Sequence, residues 1–314
     1  MAAPAISVII PSYNGAHKLG NILDALAEQD FTAFEVLVVL DGSTDESEEL
    51  LEKRTGDPFP LRIVEQENKG RAGARNRGAA EAKADILLFF DDDMRPQPGV
   101  VNAHYRFHNQ IADAGLVGGQ RTDPQKVQNP IMAYKLEAEK NWEGNTHAGT
   151  DPKDFERVPD HIVKLTAAHF SISASAFNLL AGFEEELTDA EDFDLHIRMK
   201  EIGLELYSAP QLTAWHDDFI TCESYIRRQR QYRKAHEKLA ELRKERYYPY
   251  SPYKNFRPGF LKKLLYSPFA RKWLVRAIDR PAGWFTALPK SLQYKLIERV
   301  VYGFALYFPH RSYA

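Results

Sequence analysis

Cysteine is nearly absent: the 314 residues contain one, Cys222. An internal disulfide is therefore excluded, and a reducing cytosol is the compartment that fits. Long apolar runs are also missing. No stretch nears the roughly 20 residues a membrane-spanning helix needs. The opening, MAAPAISVII, has neither the basic start nor the apolar core of a secretory signal. After the first strand-like run the chain reads PSYNGAHKLG. That lacks the G-x-G-x-x-G of a dinucleotide-binding oxidoreductase, and it lacks the Gly-rich, Arg- or Lys-bearing loop a nucleotidyltransferase would want. No internal repeat and no low-complexity tract interrupts the chain.

What is present is divided by charge. Residues 221–314 hold 21 Lys and Arg against 6 Asp and Glu, a balance of about +15. That leaves 20 of the chain's 41 basic and 38 of its 44 acidic residues for 1–220, a balance of about −18. Such asymmetry points to two regions with different partners, so the sequence divides into a catalytic domain over 1–220 and a basic, amphipathic helical region over 221–314.

Up to about residue 218 the hydrophobic pattern alternates between the two periods. ISVII (6–10), EVLVVL (35–40), LRIVEQ (61–66) and DILLFF (85–90) read as strands. Leu19, Ile22, Leu23 and Leu26 recur at helical spacing, and an Ala-rich helix is expected over about 71–83. Two further helices are expected within 173–183 and 189–203, the second with acids in its first turn and Gly203 at its stop. EGNTHAGTDPKDFERVPD (143–160) reads as a long surface loop. Strand alternating with helix predicts an α/β fold with a doubly wound, mostly parallel sheet flanked by helices. Ligands of such sheets bind beyond the carboxyl ends of the strands. At those four ends stand PSYN (11–14), DGSTD (41–45), NKGRAGARN (68–76) and DDD (91–93). One polar edge built from four strand ends is a site hypothesis stronger than any one motif.

The sharpest of these is LLFFDDDMRP (87–96), where an apolar strand delivers Asp91, Asp92 and Asp93 side by side. Adjacent carboxylates repel unless a positive group sits among them. Carboxylate oxygens suit a hard divalent cation, Mn²⁺ or Mg²⁺. If the chain stays extended, Asp91 and Asp93 point the same way and can grip one ion.

The ordered series P-S-Y-N, D-G-S-T-D, N-K-G-R-A-G-A-R-N, D-D-D and A-E-D-F-D-L resembles the family 2 glycosyltransferases of GT-A fold, over about residues 5–218. The resemblance implies an inverting enzyme that takes a sugar from a nucleotide-diphosphate sugar (UDP favoured, GDP or dTDP open) with a divalent metal. It implies that Pro11 and Tyr13 line the base pocket and that Asp41 bonds the base or its ribose. Gly70, Arg71 and Arg75 would lie by the nucleotide, and Asp91 and Asp92 would face ribose and diphosphate. Asp93 would ligate the metal, with His216 of AWHDD as a second ligand, and Asp192, beside Glu191, would be the catalytic base. The acceptor would be a glycan or a lipid-linked one, in the assembly of bacterial-type surface glycans or glycolipids. A catalytically inactive domain that binds glycans or serves as a scaffold is the competing expectation. His169 reads equally as an acceptor-side or a core residue.

Beyond the shared motifs, SYIRRQRQYRKAHEKLAELRKERYYPY (224–250) begins as a long basic helix. Phe260, Leu261, Leu264, Leu265, Phe269, Trp273, Trp284 and Phe285 follow, with basic residues between them. Basic amphipathic helices with aromatics suit an anionic membrane surface. Packing on protein, including a second subunit of a homo-oligomer, is the alternative. No nucleic-acid motif accompanies the charge, so nucleic acid is not expected as a partner. A cytoplasmic protein, peripheral on the inner face of the cell membrane, is the resulting expectation.

Overall fold

The computed structural model describes residues 3–54, 56–143, 155–254, 256 and 258–313. Its strands are β1 (Ile6–Ser12), β2 (Phe34–Asp41), β3 (Leu61–Gln66), β4 (Ile86–Phe90), β5 (Met94–Pro96), β6 (Ala114–Thr122), β7 (Glu156–Arg157), β8 (His169–Ser173) and β9 (Glu205–His216). The helices α1 (Ala16–Ala27), α2 (Ser47–Glu52), α3 (Gly70–Glu81), α4 (Val100–Gln110), α5 (Pro130–Glu143), α6 (Ala174–Leu179) and α7 (Glu191–Glu201) alternate with them. The chain continues as α8 (Cys222–Tyr247), α9 (Phe260–Tyr266), α10 (Lys272–Asp279) and α11 (Lys290–Tyr302). The loop expected over 143–160 lies mostly outside the described residues; within it, Glu156 and Arg157 form β7.

The strands join one sheet in the order β3-β2-β1-β4-β8-β6-β9-β5, with β7 on β9. β3, β2, β1 and β4 run parallel. β8 is antiparallel to β4 and to β6, and β5 is antiparallel to β9. The parallel part is covered on both faces, which is why its strands are almost wholly apolar. Alternation sorts their side chains. Val8, Ile10, Leu88 and Phe90 pack with Leu19, Ile22 and Leu26 of α1. Ile9, Leu87 and Phe89 pack on the other face with Phe177, Phe183, Leu195 and Met199.

The chain forms two compact units. One comprises Met1–Arg121 with Thr146–Asp217, and the other Thr122–Asn145 with Asp218–Ala314. The second unit has a core of its own. Ile131 and Met132 of α5 pack with Ile226 of α8, Leu274, Val275 and Ile278 of α10, and Ile297, Val300 and Val301 of α11. Thr221 opens α8 with a reciprocal capping box to Ser224. Arg230 of α8 donates to the carbonyls of Phe304, Phe308 and Arg311, satisfying backbone acceptors after α11. Among the described residues no helix is long and apolar enough to cross a membrane.

Candidate active site

The site lies in the first unit, at the carboxyl ends of the parallel strands, and strand alternation decides which helix each acid meets. Asp91 continues the parity of Phe89 and so turns toward the face carrying α3 and α7. Asp92 continues the parity of Phe90 and turns toward α1.

On the first face Asp91 accepts from Arg75 Nη2 at 2.6 Å, and Arg75 Nη1 donates to Glu191 Oε1 at 2.6 Å. Arg75 is 2% exposed and lies over the Phe183 ring, 5.5 Å from its centroid. One buried guanidinium therefore ties the end of β4 to the first turn of α7. Burial pushes the Asp91 carboxyl up, but Arg75 and Arg71 outweigh it and hold it below the usual carboxylate range. Burial pulls Arg75 down, and Asp91 and Glu191 more than reverse this, so it stays charged. Arg71 donates to Asp189, just before the acid pair.

Asp192 is half-buried. Burial, then repulsion from Glu191, pushes its carboxyl up to about 6, against the pull of Arg75 and two backbone N–H groups. Those donors are Phe193 N at 2.7 Å and Ala167 N at 3.4 Å. The residue that turns the chain into α7, Ala190, has a left-handed backbone with φ of 65°. That conformation is uncommon for a residue with a Cβ, and strain of this kind gathers at functional sites.

On the second face Ser12 Oγ donates to Asp92 Oδ2 at 2.8 Å. Gly15 makes this possible: a Cβ there would overlap Ser12 Oγ and Asp92 Oδ2. Lys18 of α1 places its ammonium 3.3 Å from Asp93 Oδ2 and 3.6 Å from Asp92 Oδ1. Burial, together with Asp93 and Asp91, pushes Asp92 up to about 6 despite Lys18 and the Ser12 bond. Across from it, Met94 of β5 pairs with His216 of β9, and Asp217 N donates to Asp93 O at 2.8 Å. This register brings His216 Nε2 to 3.4 Å from Asp93 Oδ1. Arg95 and Asn21 both donate to Asp217, fixing the next residue.

The expected D-x-D grip on one ion is not what the chain adopts. Asp92 and Asp93 form a turn closed by Met94 N donating to Asp91 O at 3.1 Å. The turn sends Asp91 to Arg75 and leaves Asp93 with His216 and Lys18. Asp93 Oδ1 and His216 Nδ1 are buried without a hydrogen bond. The nitrogen that faces Asp93 Oδ1 is His216 Nε2, and a carboxylate oxygen beside an imidazole nitrogen is a pair of donor types that suits a divalent ion of the Mn²⁺ kind. Among the described residues no group of three or more His, Cys, Asp or Glu is arranged to hold a metal ion.

Asp41 is buried and fully engaged. Its Oδ1 accepts from Gln66 Nε2 at 2.7 Å and Lys69 N at 2.8 Å, and its Oδ2 accepts from Gly70 N at 2.8 Å. It thus holds the entry to α3, where Gly70 takes φ of 77°. Pro11 is buried within β1, opposite Val39. Tyr13 stands just beyond β1 with 58% of its surface exposed, available for stacking.

His169 is a core residue. It is fully buried and donates from Nδ1 to Gly119 O at 3.0 Å. With that proton fixed, its Nε2 accepts from His104 Nε2 at 2.9 Å. His104 Nδ1 then accepts from Ser171 Oγ at 2.7 Å, and Ser171 accepts from His108 Nε2 at 2.8 Å. His104 and His169, which each accept at one ring nitrogen, are satisfied only when neutral. A separate depression of about 350 Å³, lined by Asn21, Glu28, Arg95 and Trp215 among others, contains none of the acids described above.

Sequence reasoning missed Lys18, Ser12 and Asp189. Lys18 was within reach: a helix following a parallel strand starts at the carboxyl edge, so its first turn faces the site. Ser12 lies within the PSYN motif, which gave it no role of its own, and Asp189 carries no comparable signal.

Comparison with known proteins identifies the family and the fold. The chain is 28% identical over 206 residues to the chondroitin synthase of Pasteurella multocida (strain Pm70), a match covering 64% of this chain and 19% of that protein. It is 30% identical over 225 residues to the validoxylamine A glucosyltransferase of Streptomyces hygroscopicus subsp. jinggangensis (strain 5008), covering 65% and 53%. The chain thus spans about a fifth to a half of these relatives. Among solved structures, the mannosyltransferase PcManGT of Pyrobaculum calidifontis, in complex with GDP-Man and Mn²⁺, superposes with a TM-score of 0.62 at 17% identity, over 99% of this chain and 89% of that one. S. aureus TarS 1-349 superposes at 0.55 with 17% identity, over 97% and 90%. The fold is accordingly of GT-A type with a helical C-terminal region. The model of the family described as glycosyl transferase family 2 matches residues 7–175, more than half of the chain, and the chain belongs to that family.

Proposed function

We propose that the protein transfers a sugar from a nucleotide-diphosphate sugar to an acceptor hydroxyl, with inversion at the anomeric carbon and help from Mn²⁺ or Mg²⁺. The observation that carries this reading is the buried Arg75 bridge. It mounts the donor-side acids after β4 and the acid pair of α7 on one rigid frame.

Asp192 acts as general base. Its carboxylate takes the proton of the acceptor hydroxyl as that oxygen attacks the anomeric carbon and the bond to the diphosphate breaks. Attack opposite the leaving group inverts the centre. Glu191 does not face the reaction; it keeps Arg75 in place and raises the basicity of Asp192. Asp93 and His216 would hold the metal, which when bound supplies Lewis-acid stabilisation of the leaving diphosphate. Tyr13 offers an exposed ring for the base, and Arg71 lies beside the acid pair where it can meet the diphosphate. UDP is the favoured nucleotide: TarS has been solved with UDP and with UDP-GlcNAc, while PcManGT binds GDP-Man. A glycan or lipid-linked acceptor in surface-glycan assembly, and a cytoplasmic setting, complete the reading.

The test is a panel of UDP, GDP and dTDP sugars screened by thermal shift with Mn²⁺, followed by turnover of the best donor. The product's anomeric configuration, read by NMR, reports inversion. Binding of a donor with neither transfer nor hydrolysis would favour a non-catalytic module instead.

A further inference from the structure

The second unit sorts the apolar residues of the C-terminal region into two sets. Leu274, Val275, Ile278, Phe285, Ile297, Val300 and Phe304 are its core. A second set is left outside: Phe260 is 79% exposed, Leu261 78%, Leu264 62%, Leu265 64%, Trp273 59% and Trp284 50%. Four of these six fall on α9, at positions i, i+1, i+4 and i+5. With 3.6 residues per turn they form one stripe about 140° wide. Lys262 and Lys263 lie on the rest of the same helix and are exposed. Trp273 and Trp284 pair with ring centroids 6.0 Å apart. A lone exposed leucine needs no explanation, but a whole helix face of large apolar residues marks a contact surface.

The charge around them identifies the occupant. Residues 258–314 contain ten Lys and Arg and two acids, Asp279 and Glu298. Asp279 is already used, accepting from the N–H groups of Cys222 and Glu223 at the start of α8. Arg271, Lys272, Arg276, Arg280, Lys290 and Lys295 are all exposed. A second copy of so basic a surface would repel it. An anionic bilayer would not, and it accepts leucine and phenylalanine below the headgroups, tryptophan at their level and lysine above them.

We propose that α9 together with the Trp273–Trp284 pair is a docking surface for an anionic lipid bilayer. The inference stands on the second unit alone and does not depend on which sugar is transferred. Leucine side chains supply insertion and the basic residues supply attraction, each worth about fivefold in binding at an anionic leaflet. Attraction of this kind weakens as salt shortens the Debye length.

Cosedimentation of the full chain with phosphatidylcholine vesicles, with and without phosphatidylglycerol, tests the proposal. Binding to the anionic vesicles should exceed binding to the neutral ones severalfold and fall with added salt. Trp fluorescence should shift to the blue on binding. Leu261→Ser with Leu264→Ser should lower affinity by at least about tenfold, since each buried leucine contributes that order of magnitude. Both positions are exposed, so circular dichroism should show an unchanged fold. Trp273→Phe with Trp284→Phe should remove most of the fluorescence shift. The proposal fails if the serine variant binds vesicles as the wild type does. It fails equally if the wild type ignores anionic vesicles and sediments as an oligomer that the serine variant dissociates, because α9 is then an assembly face.

Discussion

Arg75 Nη1 donates to Glu191 Oε1 at 2.6 Å across 116 residues of sequence, and both groups are almost fully buried. Burying charge is costly, and the pair persists because Asp91 supplies a second carboxylate to the same guanidinium. Arg75→Met would leave the carboxylates of Asp91 and Glu191 without the guanidinium that bridges them, with Arg71 the main remaining positive charge acting on Asp91. Loss of one partner of a buried pair typically costs about 3–5 kcal/mol. The expected outcome is a fall of that size in urea-unfolding free energy at pH 7.5, shrinking on acidification as the freed carboxylates take up protons. Arg75→Lys should recover little, because a single ammonium cannot bridge both partners.

Lys18 sets the second prediction. Its ammonium lies by Asp92 and Asp93, the second of which is the proposed metal ligand. A divalent ion that joins Asp93 and His216 must share that carboxylate with a resident cation. Lys18→Met should therefore tighten Mn²⁺ binding measured by calorimetry, by a few-fold, and lower the melting temperature in metal-free buffer. Asp93→Ala should abolish both Mn²⁺ binding and turnover, as should excess chelator on the wild type for turnover. Mn²⁺ affinity unchanged in the Asp93 variant would remove the metal from this position.

Gly15 gives a purely steric prediction. Its missing side chain lets Ser12 reach Asp92. Gly15→Ala should part that hydrogen bond and cost about 1–3 kcal/mol, as overpacking typically does. The combination with Ser12→Ala, which removes the atom in the way, should recover part of the loss. Additive losses in the double variant would show that the clash lies elsewhere.

The histidine chain predicts acid sensitivity. Burial, helped by neighbouring rings, pushes His104 far below its ordinary value, and burial pushes His108 and His169 down to about 4. Such groups bind protons in the unfolded chain at pH 6.5 but not in the folded one. The stability they allow is complete above about pH 6.5 and lost as pH falls toward 4. The melting temperature should drop steeply across that window, and more shallowly in His108→Gln, which keeps a donor to Ser171 without a titrating ring.

Much of this was legible in the sequence where one period dominated. ISVII and ILLFF are buried on both sheet faces, so their apolar runs could be read as parallel strands and their ends as one edge. The antiparallel half was not legible: β6, β8 and β9 mix Gly, Ser, His and Thr with apolar residues, and their pairing depends on contacts distant in sequence. Local pattern also could not foresee that Asp91–Asp93 turns. That follows from Ala168 O accepting from Asp91 N before the turn and from Asp217 and His216 holding Asp93 and Met94 after it. Arg75 was placed by the nucleotide, yet its depth comes from packing over Phe183, 108 residues away, which no local motif encodes.

Asp192 carries the last prediction, because its two roles have opposite signs. As a base it works only when ionised, and burial with Glu191 beside it sets that step near pH 6. Turnover should rise with pH through about 6 and level off above it. Asp192→Asn should lose about 10²–10⁴ in rate, lose that rising limb, and bind donor as the wild type does. Stability should move the other way. The folded carboxyl titrates above its unfolded value, so stability falls as pH rises from about 3.9 to about 6 and the loss is complete above that, while below about 3.9 both states hold the proton. The Asn variant should therefore melt higher than the wild type at pH 7.5, with the gap closing toward pH 4. A variant that is inactive and less stable at pH 7.5 would mean that Asp192 serves the fold rather than the chemistry. Stable and still active, it would pass the role of base to another group.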